Sequence, residues 1–160
     1  VVRDVLGHSL AVFCGLFSSS NFLSLPGKTC YNPVMAKYPI FLELGGRRVV
    51  VIGGGAVAVR KVQSLLTAGA RVVVVAERID DMLTALCKGT DAEIIRSRYS
   101  KSYVAGALLA IAATNDQPLN RQIYKDCQEL DVLCNVVDVP ELCDFFVPAV
   151  VKRGDLQIAV

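Results

Sequence analysis

Residues 47–77 limit what this chain can fold into more than any other stretch. Arg47-Arg48-Val49-Val50-Val51-Ile52 has the pattern of a buried strand, and Gly53-Gly54-Gly55-Ala56-Val57-Ala58 follows as a glycine turn. A helix-like run then leads to Arg71-Val72-Val73-Val74-Val75-Ala76-Glu77, a second apolar strand that ends on an acid. Strand, glycine turn, helix and acid-terminated strand in this order are the fingerprint of a dinucleotide-binding βαβ unit.

Each residue type in that unit has its own physical task. Gly53 lets the backbone leave the strand in a conformation closed to residues with a Cβ. Gly55 removes the side chain where a diphosphate must approach the main chain, and Ala58 keeps the helix close to the sheet. The helix N-terminus offers free N–H groups and partial positive charge to phosphate. Glu77, 24 residues after Gly53, is placed to accept hydrogen bonds from the adenosine ribose hydroxyls. Arg78 beside it could instead take a 2′-phosphate, so NAD is expected and NADP stays open. The competing reading is a tight βα turn with no ligand.

With 160 residues, 53% of them hydrophobic, the chain suffices for one domain whose sheet is covered on both faces. A net charge of +2 without a basic run gives no electrostatic case for nucleic acid. Six cysteines (Cys14, Cys30, Cys87, Cys127, Cys134 and Cys143) suggest disulfides by number alone. No CxxC pair occurs, however, and Cys87, Cys127 and Cys134 fall within apolar patterns, so reduced buried thiols in a cytoplasmic protein are expected. His8 is the only histidine, which argues against a His-based metal site or triad, and no metal ligands are assigned.

Residues 1–34 differ from the rest. Leu10–Phe17 is a short apolar run before Ser18-Ser19-Ser20; it reads either as a signal-peptide core or as a non-native or disordered leader upstream of Met35, and the leader is expected. It is too short to span a bilayer. The chain opens on Val1 and stops at Val160 within a strand-like run, so a fragment or a truncated open reading frame is expected.

Strands and helices alternate from Tyr38 onward. After the apolar Pro39–Leu44 and the Gly45-Gly46 turn, strands are expected at 47–52, 71–76, 93–96, 108–113 and 132–137. Helices are expected from Gly55 to Ala68, with Val59, Val62 and Leu66 inward and Gly69 as the stop, and from Asp80, with Met82, Leu83 and Leu86 inward. A third should cover 117–129, with Pro118 in its first turn, and Tyr103–Ala107 should be a short helix or turn. This alternation implies an α/β fold, a doubly wound parallel sheet of Rossmann type. Two strand-like runs, 145–151 and 156–160, should extend the sheet or lead into another domain.

Ligands of such sheets bind beyond the carboxyl ends of the strands. Ala112 and Ala113 would let a nucleotide lie on the backbone. Thr114 could bond ribose or phosphate, or the Thr114–Asp116 segment could simply cap the next helix. Asn135 and Asp138 bracket the end of the fifth strand. Asp138 reads as a general acid or base, as a metal ligand, or as a turn-initiating residue before Pro140.

Tyr38–Leu42, Gly53–Lys61, Gly69–Val72, Ala110–Asp116 and Cys134–Asp138 together resemble the NAD-binding domain of siroheme synthase, the precorrin-2 dehydrogenase / sirohydrochlorin ferrochelatase family. The resemblance covers residues 36–160, with the Arg60-Lys61 pair and Asn135-Val136-Val137-Asp138 as its more specific parts. It implies hydride transfer from precorrin-2 to NAD, giving sirohydrochlorin, with ferrous iron as the substrate of a further chelation step. It implies that Asp138 is catalytic, that Gly53, Gly55, Ala56 and Val57 form the pyrophosphate turn, and that Glu77 and Arg78 face the adenosine. Thr114 and Asn135 are implied as further contacts, and a homodimer is implied for the full-length protein. Many family members carry Pro where Glu77 stands, and the expected Ser/Gly-rich loop and helical dimerisation region lie beyond Val160. Two other readings remain: a non-enzymatic Rossmann nucleotide-sensing module, and a dehydrogenase for another small substrate.

Overall fold

The computed structural model describes residues 37–154 and 156–159. The expected leader, His8, Cys14 and Cys30 lie outside the described residues. Contacts divide the chain into Val1–Pro39 and Ile40–Val160, and residues 37–39 of the first unit carry no regular structure.

In the second unit, β1 (Arg48–Ile52), β2 (Arg71–Val75), β3 (Glu93–Ile95), β4 (Leu109–Ala112) and β5 (Leu133–Val136) form one sheet in the order β3-β2-β1-β4-β5. All four pairings are parallel. Helices α1 (Ala56–Thr67), α2 (Asp81–Cys87) and α3 (Gln117–Glu129) make the crossovers. The strand alternation explains why both faces are covered. Val49 and Val51 point into a core with Ala58, Val62, Leu65, Leu83 and Cys87 of α1 and α2. Val50 and Ile52 point the other way, into a core with Ile123 and Cys127 of α3. Each such valine or isoleucine contributes about 1.5–3 kcal/mol on burial, so the β-branched runs at the sheet centre anchor the fold.

The turns follow from local chemistry. Gly69 ends α1 at φ +75°, and the Gly69 and Ala70 amides donate to the Leu66 and Leu65 carbonyls, which closes the helix with a left-handed residue. Asp80 caps α2, its Oδ1 accepting from the Met82 amide at 2.8 Å. Arg48 donates to the Tyr103 and Ala105 carbonyls at 2.8 and 3.0 Å, fixing the 3-10 turn Lys101–Tyr103 beneath β1 and β4.

Some inward faces differ from expectation. In α1 the buried residues are Ala58, Val62 and Leu65; this i, i+4, i+7 row faces the sheet, and Val59 and Leu66 lie at its margins, half-buried. In α2 Leu83 and Cys87 are buried while Met82 is 69% exposed. A seven-residue helix has room for one apolar row, and Met82 follows its cap on the solvent side.

The tail does not extend the parallel sheet. β6 (Val150–Arg153) and β7 (Leu156–Ala159) pair antiparallel as a separate two-stranded sheet, and 145–149 is not a strand. The free edge of β5 is instead covered by the segment after it. Cys143 bridges Asn135, the Asp144 amide donates to the Cys134 carbonyl, and the Cys134 amide donates to Asp144 Oδ2, both at 2.8 Å. This satisfies backbone groups that an edge strand would leave unpaired.

Cys87, Cys127 and Cys134 are buried free thiols, and Cys143 is half-buried. Burial pushes the Cys87 thiol up. The Cys127 and Cys134 thiols act on each other: Cys134 lowers Cys127 against the raising effect of its burial, whereas Cys127 and burial together push Cys134 up. Among the described residues no helix is long and apolar enough to cross a membrane.

Candidate dinucleotide-binding site

β1 is the point where the strand order reverses: β2 and β3 lie to one side, β4 and β5 to the other. Loops leaving β1 and β4 therefore diverge to opposite faces and open a crevice at the carboxyl edge. A cleft of about 1000 Å³ lies there, lined by Gly53–Val57, by Glu77 and Arg78, by Ser97–Tyr99 and by Ala113–Asp116.

The glycine turn forms one wall, and its glycines have different reasons to be glycine. Gly53 has φ +126°, and a Cβ there would stand 2.2 Å from the Ala113 carbonyl oxygen. A Cβ on Gly54 would stand 2.0 Å from the Arg78 carbonyl oxygen, and the Asp80 amide donates to the Gly54 carbonyl at 2.8 Å. Packing within the protein demands both residues. A Cβ on Gly55 would meet no protein atom within 4 Å. Nothing in the fold requires glycine there, so the bare backbone leaves open space in the cleft.

The N-terminus of α1 begins at Gly55. Its cap provides no side-chain hydrogen bond, and its first turn holds no acid. By contrast, Asp80 caps α2 and Asp116 caps α3. The N-termini of α1 and α3 both line the cleft, and of the two only that of α1 has N–H groups without a side-chain acceptor; such a terminus attracts an anion. Open space over Gly55 and uncapped amides behind it fit a diphosphate.

Glu77 and Arg78 follow β2 on the second wall. Arg98 Nε donates to Glu77 Oε1 at 2.9 Å. Tyr99 is half-buried and donates to Asp126 Oδ2 at 3.0 Å, while Gln122 donates to the other oxygen of Asp126 at 2.9 Å. Burial and this bond push the Tyr99 hydroxyl well above the usual tyrosine range. Tyr99 is a fixed wall element.

On the third wall, Thr114 Oγ1 donates to Asn120 Oδ1 at 2.6 Å and Asn120 Nδ2 donates to the Thr114 carbonyl at 3.0 Å. Asn120 is 1% exposed, so this reciprocal pair fixes the loop after β4. The capping role belongs to Asp116, whose Oδ1 accepts from the Leu119 amide at 3.0 Å. Thr114 is left lining the cleft with its hydroxyl proton already engaged.

Of the residues singled out from sequence, Gly53, Gly55, Ala56, Val57, Glu77, Arg78 and Thr114 come together around the cleft. Four do not line it. Ala112 is fully buried in the core that α3 covers. Ala58 is fully buried in the core beneath α1, where it sets helix-to-sheet distance. Asn135 is 7% exposed, and its Nδ2 donates to the Phe145 carbonyl at 2.8 Å and to Cys143 Sγ at 3.4 Å. Its amide anchors the chain that covers the β5 edge. Asp138 stands at φ +61°, exposed, beyond the end of β5 and one strand over from Ala113. Cys143 Sγ, at 3.2 and 3.3 Å from the Val136 and Val139 carbonyls, braces the turn that carries it.

Gly54, Asn120 and the Ser97–Tyr99 segment shape the cleft without standing out in the sequence. For Gly54 a signal exists in the run of three consecutive glycines, since close backbone approach is the usual reason for such a run. The basic residues after β3 carry a weaker signal, because their position depends on β3 pairing with β2.

An NAD(P)-binding family matches residues 40–149. The siroheme synthase of Psychrobacter arcticus is 41% identical over 126 residues, which is 79% of this chain and 23% of that protein. The siroheme synthase of Pseudomonas fluorescens is 45% identical over 122 residues, 76% of this chain and 26% of that protein. Among solved structures, SirC, precorrin-2 dehydrogenase, matches with a TM-score of 0.68 at 27% identity, over 78% of this chain and 61% of SirC. The chain thus spans about a quarter of the length of the siroheme synthases it matches. By the match over residues 40–149 and the crevice built on its glycine turn, the chain belongs to the NAD(P)-binding family, with siroheme synthases and a precorrin-2 dehydrogenase as its relatives.

Proposed function

We propose that this chain binds NAD and forms the dehydrogenase part of a protein that oxidises precorrin-2 to sirohydrochlorin. The observation that carries the proposal is the open, side-chain-free space over Gly55 at the uncapped end of α1. Similarity to siroheme synthases and to SirC, precorrin-2 dehydrogenase, supports the choice of substrate.

NAD, when bound, supplies the hydride acceptor. The protein's part is to hold it: amides of the glycine turn for the diphosphate, Glu77 for the adenosine ribose, and the Ala113–Thr114 backbone as the floor. An acid at the ribose position supports NAD as the preferred dinucleotide. Asp138 is the proposed catalytic residue, taking up a proton released as the macrocycle loses its hydride. In its support, Asp138 has a left-handed backbone that non-glycine residues adopt at a cost of about 1–3 kcal/mol. No hydrogen bond among the described residues holds its carboxylate. Insertion of ferrous iron, as a substrate, is the proposed second step. A cytoplasmic setting fits the free thiols, and a homodimer fits the exposed apolar side chains of β6 and β7, where Val150, Val151 and Leu156 are each more than half exposed.

The test supplies precorrin-2 and NAD to a chain extended to the length of its relatives. The expected outcome is the sirohydrochlorin absorption spectrum, abolished in Asp138→Ala while NAD binding persists; adding ferrous salt to the same mixture reads out chelation. One observation favours a second reading, a nucleotide-sensing module: the cleft is complete without Asp138. Saturable NAD binding with no oxidation at any chain length would select that reading.

A further inference from the structure

Glu77 does not stand alone at the adenosine end of the cleft. Arg98, from the segment after β3, reaches it at 2.9 Å, and Arg78 is its neighbour in the chain. All three line the cleft. The rim therefore carries one negative and two positive side chains. The Arg78 backbone is pinned over the turn by the close approach of Gly54, whereas the Glu77–Arg98 pair stands at the surface, with side chains 62% and 88% exposed. An exposed pair of this kind contributes little to folding, so its position on a cleft wall invites a role in ligand choice.

We propose that Arg98 is the specificity-determining residue at this rim, a positioning residue for NAD and a direct ligand for the 2′-phosphate of NADP. The inference rests on the reading of the cleft as a dinucleotide site. With NAD, Arg98 holds the Glu77 carboxylate by one oxygen and leaves the other to accept from the ribose hydroxyls. With NADP, the carboxylate would repel the 2′-phosphate, but Arg98 is already within reach of that charge. Turning from Glu77, it pairs with the phosphate alongside Arg78, since guanidinium groups bind phosphate through paired N–H donors. The Glu77–Arg98 contact thus sets the balance between the two dinucleotides, and this rim discriminates less than a lone acid would.

The test titrates the full chain and its Arg98→Gln, Glu77→Gln and doubly substituted forms with NAD and with NADP by calorimetry, alongside thermal unfolding. Glu77→Gln is expected to tighten NADP and weaken NAD, shifting their affinity ratio by about tenfold or more, the scale of one charge-assisted hydrogen bond. Arg98→Gln is expected to weaken NADP by about tenfold and NAD by no more than about threefold on the same scale. The double substitution should lose the NADP gain of Glu77→Gln, with the unfolding temperature unchanged throughout. An unmoved ratio in Arg98→Gln, or an NADP gain that survives in the double form, overturns the inference while leaving the dinucleotide site intact. Failure of the unsubstituted chain to bind either dinucleotide overturns the site and this inference together.

Discussion

Gly53 and Ala113 approach so closely that no β-carbon fits between the end of β1 and the loop after β4. A β-carbon on Gly53 would lie 2.2 Å from the Ala113 carbonyl oxygen, and φ is +126°. Steric contact and backbone conformation therefore exclude the same substitutions. Gly53→Ala is expected to destabilise the fold by about 3 kcal/mol or more, read as a lower midpoint in urea unfolding. Dinucleotide affinity should fall with it, because the two walls of the cleft are forced apart.

Gly55 offers the complementary case. Its φ is −93° and a Cβ there meets no protein atom within 4 Å, so Gly55→Leu should fold normally. The change at a helix N-cap is expected to cost no more than about 1 kcal/mol. Dinucleotide binding should nonetheless drop more than about tenfold, since the side chain fills the space left for the diphosphate. Unfolding and titration of the same sample separate the two effects, and equal affinity in Gly55→Leu would contradict the proposed cradle.

Asn135→Ala should behave in the opposite way. The buried amide holds the half-buried Phe145 carbonyl, so its removal costs about 1 kcal/mol, the scale of one hydrogen bond. Dinucleotide affinity measured below the unfolding transition is expected to stay within about twofold of the parent, because Asn135 does not line the cleft. Hydrogen exchange should locate the loosening at residues 143–145.

Lys101 and Glu129 form an ion pair that ties the 3-10 turn to the end of α3. Lys101 is raised, first by its hydrogen bond to Glu129, and Glu129 is lowered, first by its hydrogen bond to Lys101. The signs set the pH window. A lowered glutamate stabilises the fold above its unfolded value, and that contribution disappears as pH falls below about 4. A raised lysine stabilises below its unfolded value, and that contribution disappears as pH rises beyond about 10.5. The stability difference between the parent and Glu129→Gln should therefore be largest between these limits and shrink toward both. High salt should reduce it as well, because the pair is exposed. Denaturant unfolding across pH at two salt concentrations measures both trends.

Much of the architecture is legible in the chain itself. The valine runs at 49–51 and 72–75, the glycine turn, Asp80, Pro118 and Gly69 are local signals, each acting within a few residues of itself. They determined where strands and helices lie, and with the glycine spacing they pointed to a dinucleotide. What depended on partners distant in sequence was settled only by folding. The row Ala58, Val62 and Leu65 of α1 faces the sheet, with Val59 at its margin, because the rotation of the helix is set by its packing on β1 and β2. Asn135 belongs to the β5 edge because residues 143–145 return to cover it, a contact no periodicity encodes. Arg98 reaches Glu77 because β3 pairs with β2, which carries two residues 21 positions apart to one rim. Local sequence determined the elements; the order of the strands decided which side chains share the cleft, since that order alone sets which carboxyl ends are neighbours.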